Sequence, residues 1–161
     1  PNREGRLKLA LQPVRDNYDF IIIDCPPSLS LLTLNALAAA DGIIVPMQCE
    51  YFALEGLSSL IKTINALKQK LNPALEIDGI IRTMYDVRNN LANAVSNELT
   101  THFGDTVYRT LVPRNVRLAE APSHGMSIIR YDKSSRGALA YMGLSGEVIQ
   151  RMNKKSVKEK V

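Results

Sequence analysis

Residues 19–29, DFIIIDCPPSL, set four consecutive apolar side chains, Phe20 to Ile23, against a carboxylate at Asp24 and prolines at 26 and 27. A strand with one wet face alternates apolar and polar residues, so an unbroken apolar run predicts a strand covered on both faces, as in a parallel sheet. Proline donates no ladder hydrogen bond, so this strand is expected to end at Asp24 or Cys25. Asp24 then sits at the carboxyl edge, where open α/β sheets bind ligands. A second role, capping the helix that follows, stays open on these residues alone.

Outward from this stretch, apolar runs and helical repeats take turns. GRLKLALQPV reads as the end of a helix, LLTLNALAAA as a helix and DGIIVPM as a second strand. Leu57, Leu60, Ile61, Ile64, Leu67 and Leu71 recur at steps of three and four, which predicts a long amphipathic helix. LEIDGIIRT is a third strand, Leu91, Val95, Leu99 and Phe103 stripe a further helix, and TVYRTLV is a fourth strand. PRNVRLAEA places Pro113 where a first helical residue is expected, and SRGALAYMGLSGEVIQRM is the closing helix. The alternation predicts an α/β fold with a mostly parallel, doubly wound sheet. No repeat, low-complexity tract or linker interrupts it.

With 161 residues, 45% hydrophobic and 22% charged, the chain is long enough for one domain with a core. No run approaches a membrane span and no signal-peptide pattern occurs, so a cytoplasmic protein is the default expectation. Cys25 and Cys49 stand apart, as do His102 and His124, so no metal site built from nitrogen or sulfur ligands is expected. Residues 1–150 carry 15 basic and 15 acidic side chains, whereas residues 151–161 carry five and one; the excess charge lies in a tail expected to be frayed. Between residues 82 and 136 the basic residues are Arg82, Arg88, Arg109, Arg114, Arg117, Arg130, Lys133 and Arg136. Arginine's planar fork suits phosphate and carboxylate, so this region is where an anion partner is expected, surface ion pairing being the alternative.

Four blocks, YDFIIIDCPPSLSLLTLNAL, IIVPMQCEYFALEGL, TMYDVRNNLANAV and VPRNVRLAEAPSHGMSIIRYDKSSRGALAY, closely resemble the ParA/Soj family of bacterial chromosome-partitioning ATPases, a P-loop NTPase class, from about residue 4 to residue 150. The resemblance implies that FIIIDCPPS is the Walker B strand and that Asp24 is catalytic, holding the Mg²⁺ of ATP through a bound water. The family's deviant Walker A loop has no counterpart here, and no Gly-Lys pair occurs anywhere. Residues 1–150 are accordingly expected to be the carboxyl-terminal part of one ATPase domain, inactive alone and with little hold on ATP or Mg²⁺.

Further roles follow from the resemblance position by position. Thr83, Met84, Pro113, Arg114 and Asn115 are implied as walls on the adenine side, and Gln48, Glu50 and Tyr51 as a site edge or dimer contact. Arg88 and Arg117 match DNA-contacting arginines. Arg114 is expected beside Arg117 on one helix face, and an Arg117–Glu120 helix pair is the structural alternative. The implied partners are non-specific double-stranded DNA, a second copy on ATP binding and a ParB-type protein, with nucleoid association and no membrane. Two other readings compete. A MinD-like membrane-associated regulator needs a carboxyl-terminal helix with bulky apolar residues on one face, where KKSVKEKV offers only valines among lysines. A non-catalytic module retaining weak DNA or partner contacts is the other.

Overall fold

Three of the predicted strands form, β1 (Gly42–Gln48), β2 (Glu76–Tyr85) and β3 (Val107–Pro113), in the sheet order β1-β2-β3 with β2 and β3 parallel. The computed structural model describes residues 3–26 and 28–158. Where the sequence suggests one domain over residues 1–150, contacts divide the chain into two compact units, Pro1–Ile43 with Gly56–Asp78 and Ile44–Glu55 with Gly79–Val161.

The first unit holds α1 (Arg6–Leu11), α2 (Leu31–Ala39) and most of α3 (Ala53–Leu71). Its core gathers Ala36, Ala38, Leu57, Ile64 and Leu75. Two buried asparagines tie the unit together. The Asn35 carbonyl accepts from Leu7 N at 3.1 Å, and its amide donates to the Arg3 and Leu31 carbonyls at 2.9 Å. Asn72 Nδ2 donates to Leu37 O at 3.1 Å and Ala40 O at 2.7 Å, satisfying carbonyls that the end of α2 leaves without helical partners.

Residues 20–26 do not form the strand that their composition predicts. A parallel strand exists only through its ladder, and no described residue pairs with this run. Phe20, Ile21, Leu29 and Leu32 are exposed, and Ile22 is 92% exposed. Pro27, one of the two expected strand breakers, lies outside the described residues. Exposed apolar side chains this numerous in a short stretch favour association. The 161-residue chain is therefore expected to bind a hydrophobic dye and to self-associate; a monodisperse monomer in light scattering without dye binding would contradict this.

In the second unit, α4 (Asn90–Phe103), α5 (Val116–Glu120), α6 (Ile128–Tyr131) and α7 (Arg136–Lys158) accompany the sheet. Tyr108, Val112 and Leu144 form a buried cluster, with Ile81, Leu118 and Val148 packed against it. Helix α4 buries Ala92, Val95, Ser96 and Leu99, while Leu91 from the expected stripe is exposed. The buried face also carries Ser96, which meets Arg82, a buried residue of β2 whose guanidinium donates to Ser96 Oγ at 2.8 Å and Tyr108 O at 2.7 Å. Arg82 is thus a core residue and not part of an anion-binding surface.

Two expectations at element ends are corrected. Pro113 closes β3 instead of opening a helix; at the end of an edge strand its missing N–H costs no ladder bond. Of the tail expected to be frayed, residues 151–158 are helical and 159–161 lie outside the described residues; Arg151 is anchored, donating to Val107 O and to Glu147 at 2.9 Å each and lying over the Tyr108 ring, 4.0 Å from its centroid. Glu147 accepts from the Arg109 and Thr110 backbone N–H groups at 2.8 and 3.0 Å, so α7 covers the open edge of β3 with side chains. Burial raises the Glu147 carboxyl, but these donors together outweigh it and hold the group below its ordinary range.

Candidate functional site

The carboxyl ends of β2 and β3 lie side by side. Tyr85 pairs with Pro113, and Arg114 N donates to Tyr85 O at 3.1 Å. This brings Thr83, Met84, Pro113, Arg114 and Asn115 to one edge of the sheet. The ladder slips between Arg82 and Tyr85, and Met84 takes a φ of 52°, a left-handed conformation that a side chain such as methionine rarely adopts. The slip leaves Met84 exposed, while Thr83 Oγ1 donates to Met47 O of β1 at 3.3 Å. Asn115 Oδ1 accepts from Leu118 N at 3.3 Å and so caps α5. Arg114 precedes that cap, so Arg114 and Arg117 do not share a helix face; the helix begins where the Asn115 side chain replaces the missing carbonyl.

Just beyond β2, Asp86 receives Arg88 on both carboxylate oxygens: Oδ1 accepts from Arg88 N and Nε at 3.0 Å, and Oδ2 from Nη2 at 2.8 Å. The hydrogen bonds from the Arg88 side chain and backbone hold the Asp86 carboxyl down to about 2, with Arg114 adding to the effect. The Arg88 side chain is 86% exposed. Arg117 donates through Nη1 to Glu120 Oε2 at 2.9 Å, the expected helix pair, and its Nε lies 3.5 Å from Asp132 Oδ2. The Tyr131 hydroxyl donates to the same Glu120 oxygen at 3.2 Å.

At the end of β1, Glu50 N donates to Gln48 O and Ala53 N to Glu50 O, both at 3.0 Å, forming the turn into α3. Tyr51 and Phe52 meet edge to face at 4.9 Å in this turn, both largely exposed. In the first unit, Asp24 is exposed and has no hydrogen bond or ion pair among the described residues. The helix-cap role considered for it falls to Ser30, whose Oγ accepts from Thr33 N at 3.4 Å. One exposed, unengaged carboxylate fits Mg²⁺, which keeps several waters and takes few protein ligands. No cluster of three or more His, Cys, Asp or Glu side chains suited to a metal occurs among the described residues.

Asp86, Asp132 and Tyr131 were not singled out by the sequence. The Asp-x-Arg spacing of Asp86 and Arg88 carried the signal, but only the turn after β2 folds the carboxylate onto the guanidinium. Glu147 and Arg151 were legible as an acidic residue four positions ahead of a basic one on a helix.

A family of AAA domains matches residues 1–77. The chain is 56% identical over 147 residues to the sporulation initiation inhibitor protein Soj of Bacillus subtilis, covering 91% of this chain and 58% of that protein. It is 54% identical over 160 residues to the chromosome partitioning protein ParA of Myxococcus xanthus, covering 99% and 56% respectively. Cobyrinic acid a,c-diamide synthase from Mycobacterium smegmatis, solved with bound ADP and magnesium, superposes with a TM-score of 0.76 at 33% identity, over 94% of this chain and 55% of that one. The fold is thus a P-loop NTPase-like parallel sheet with flanking helices. The chain belongs to the Soj/ParA family of chromosome-partitioning ATPases. It spans somewhat over half the length of the curated relatives it matches.

Proposed function

We propose that the chain supplies the Walker B carboxylate and the DNA-facing arginines of an ATPase that partitions bacterial chromosomes or plasmids. The carrying observation is identity above one half to Soj and ParA across nearly all of the chain. In this reading Asp24 holds Mg²⁺ of the nucleotide, and the edge built from Thr83, Met84, Pro113, Arg114 and Asn115 packs against the adenine. An ATP-bound pair of copies grips DNA through Arg88, Arg117 and Arg114, with Gln48, Glu50 and Tyr51 near the contact between copies. A ParB-type partner stimulates hydrolysis, and the protein works on the nucleoid in the cytoplasm. Two geometric features support the reading. The Arg88 and Arg117 side chains are 86% and 54% exposed, unlike the buried Arg82, and Asp24 is exposed with no hydrogen bond or ion pair among the described residues.

The test uses a version extended to the full length of the relatives, with ATP and Mg²⁺. Arg88→Ala and Arg117→Ala are expected to weaken binding to two duplexes of unrelated sequence by the same factor, because phosphate contacts position a protein without reading bases. ATP hydrolysis without DNA is expected to survive both. Loss confined to one duplex, or loss of hydrolysis with it, would contradict the assignment.

A further inference from the structure

Both proposed DNA-contacting arginines are already bound to carboxylates. Arg88 presents Nε and Nη2 side-on to Asp86, which is the edge a guanidinium offers to two phosphate oxygens. Arg117 has Nη1 on Glu120, and its Nε faces Asp132. These pairs differ in kind from Arg151–Glu147, whose side chains are 23% and 16% exposed and which also engages the backbone of β3. The Arg88 pair sits in solvent on a turn, where ion pairs are weak and exchange readily.

We infer that Asp86 and Glu120 are intramolecular rivals of nucleic-acid phosphate for Arg88 and Arg117, lowering the affinity of a single copy for DNA. The inference rests on the reading that these arginines contact DNA. A phosphate that takes the Nε/Nη2 edge of Arg88 must displace Asp86. One that takes the Nη1 corner of Arg117 must displace Glu120. Exposed pairs of this sort are worth only about a two- to fivefold factor each, so the rivalry tunes affinity without abolishing it. Two copies on one duplex recover that loss through avidity, which makes retention depend on pairing.

The test is binding of the 161-residue chain, at low salt and at a concentration where light scattering shows a single copy, to a short labelled duplex of arbitrary sequence. Asp86→Asn keeps an oxygen for the Arg88 N–H and so preserves the turn while removing the charge; Glu120→Gln likewise keeps an acceptor for Tyr131. Each is expected to tighten binding about two- to fivefold and to steepen the dependence of log affinity on log salt. In an Arg88→Ala background, Asp86→Asn is expected to change little. Equal tightening in that background would mean a general charge effect and would overturn the inference. So would unchanged or weaker binding by both carboxylate variants when Arg88→Ala weakens it. If Arg88→Ala and Arg117→Ala leave binding unchanged, the DNA-contact reading itself fails, and the inference with it.

Discussion

In a version of the chain extended to the full length of its Soj/ParA relatives, Asp24→Ala is expected to lower ATP turnover at least about a hundredfold, measured as phosphate release, with the unfolding transition left in place. The two halves of that result have separate causes. Asp24 is exposed and has no hydrogen bond or ion pair among the described residues, so removing it costs the fold no bond seen here. The proposed role is electrostatic: a carboxylate holding Mg²⁺ through water orients the ion that neutralises charge on the transferring phosphoryl group. Asp24→Asn keeps the size and loses the charge, and is expected to behave like the alanine variant. Because Ser30 caps α2, a capping role offers no other explanation for lost turnover. Turnover within about twofold of the parent would remove Asp24 from the metal site.

Gly79→Ala is expected to destabilise the chain by about 3 kcal/mol, or roughly 10 °C in the thermal midpoint. A Cβ at this position of β2 would lie 2.1 Å from Cε2 of the Tyr108 ring. That ring is fully buried, and the Arg151 guanidinium lies over it. It cannot swing into solvent as a flexible side chain would, so strand or ring must shift and the β3–α7 cluster must repack. Gly146→Ala makes the opposite case. A Cβ on this exposed residue of α7 meets nothing within 4 Å, so alanine is expected to stabilise by about 0.5–1 kcal/mol through helix propensity. Parallel thermal melts of the two variants separate close packing from backbone preference; equal, small shifts would contradict the packed Gly79–Tyr108 contact.

Periodicity made much of this fold legible. The runs that became β1, β2 and β3, and the repeats that became α2, α3, α4 and α7, stand in the sequence where the structure forms them. Residues 20–26 show the limit of that reading. Their composition states a preference for a strand covered on both faces, yet a strand needs a neighbour, and composition does not supply one. At residue 113 two rules competed. Proline favours a first helical position, but it is equally tolerated at the end of an edge strand, and Asn115 was the true start signal. On α4 the expected stripe holds at Val95 and Leu99, while Leu91 at its start is exposed and the buried face widens to take in Ala92 and Ser96, the latter bonded to the buried Arg82.

What the structure adds at the proposed site is interactions that the sequence does not show. Thr83, Met84, Pro113, Arg114 and Asn115 are brought to one edge by the Tyr85–Pro113 pairing. Nothing in the sequence showed that Met84 would be left-handed or that Asp86 would close on Arg88, since both depend on the turn geometry after β2.

The most direct measurement is the affinity of the extended protein for unrelated duplexes, with ATP and Mg²⁺, across a range of salt concentrations. Each phosphate contact releases condensed counterions, so Arg88→Ala and Arg117→Ala are each expected to flatten the plot of log affinity against log salt by about one unit, equally on every duplex. Slopes unchanged in both variants would contradict DNA binding through these two side chains.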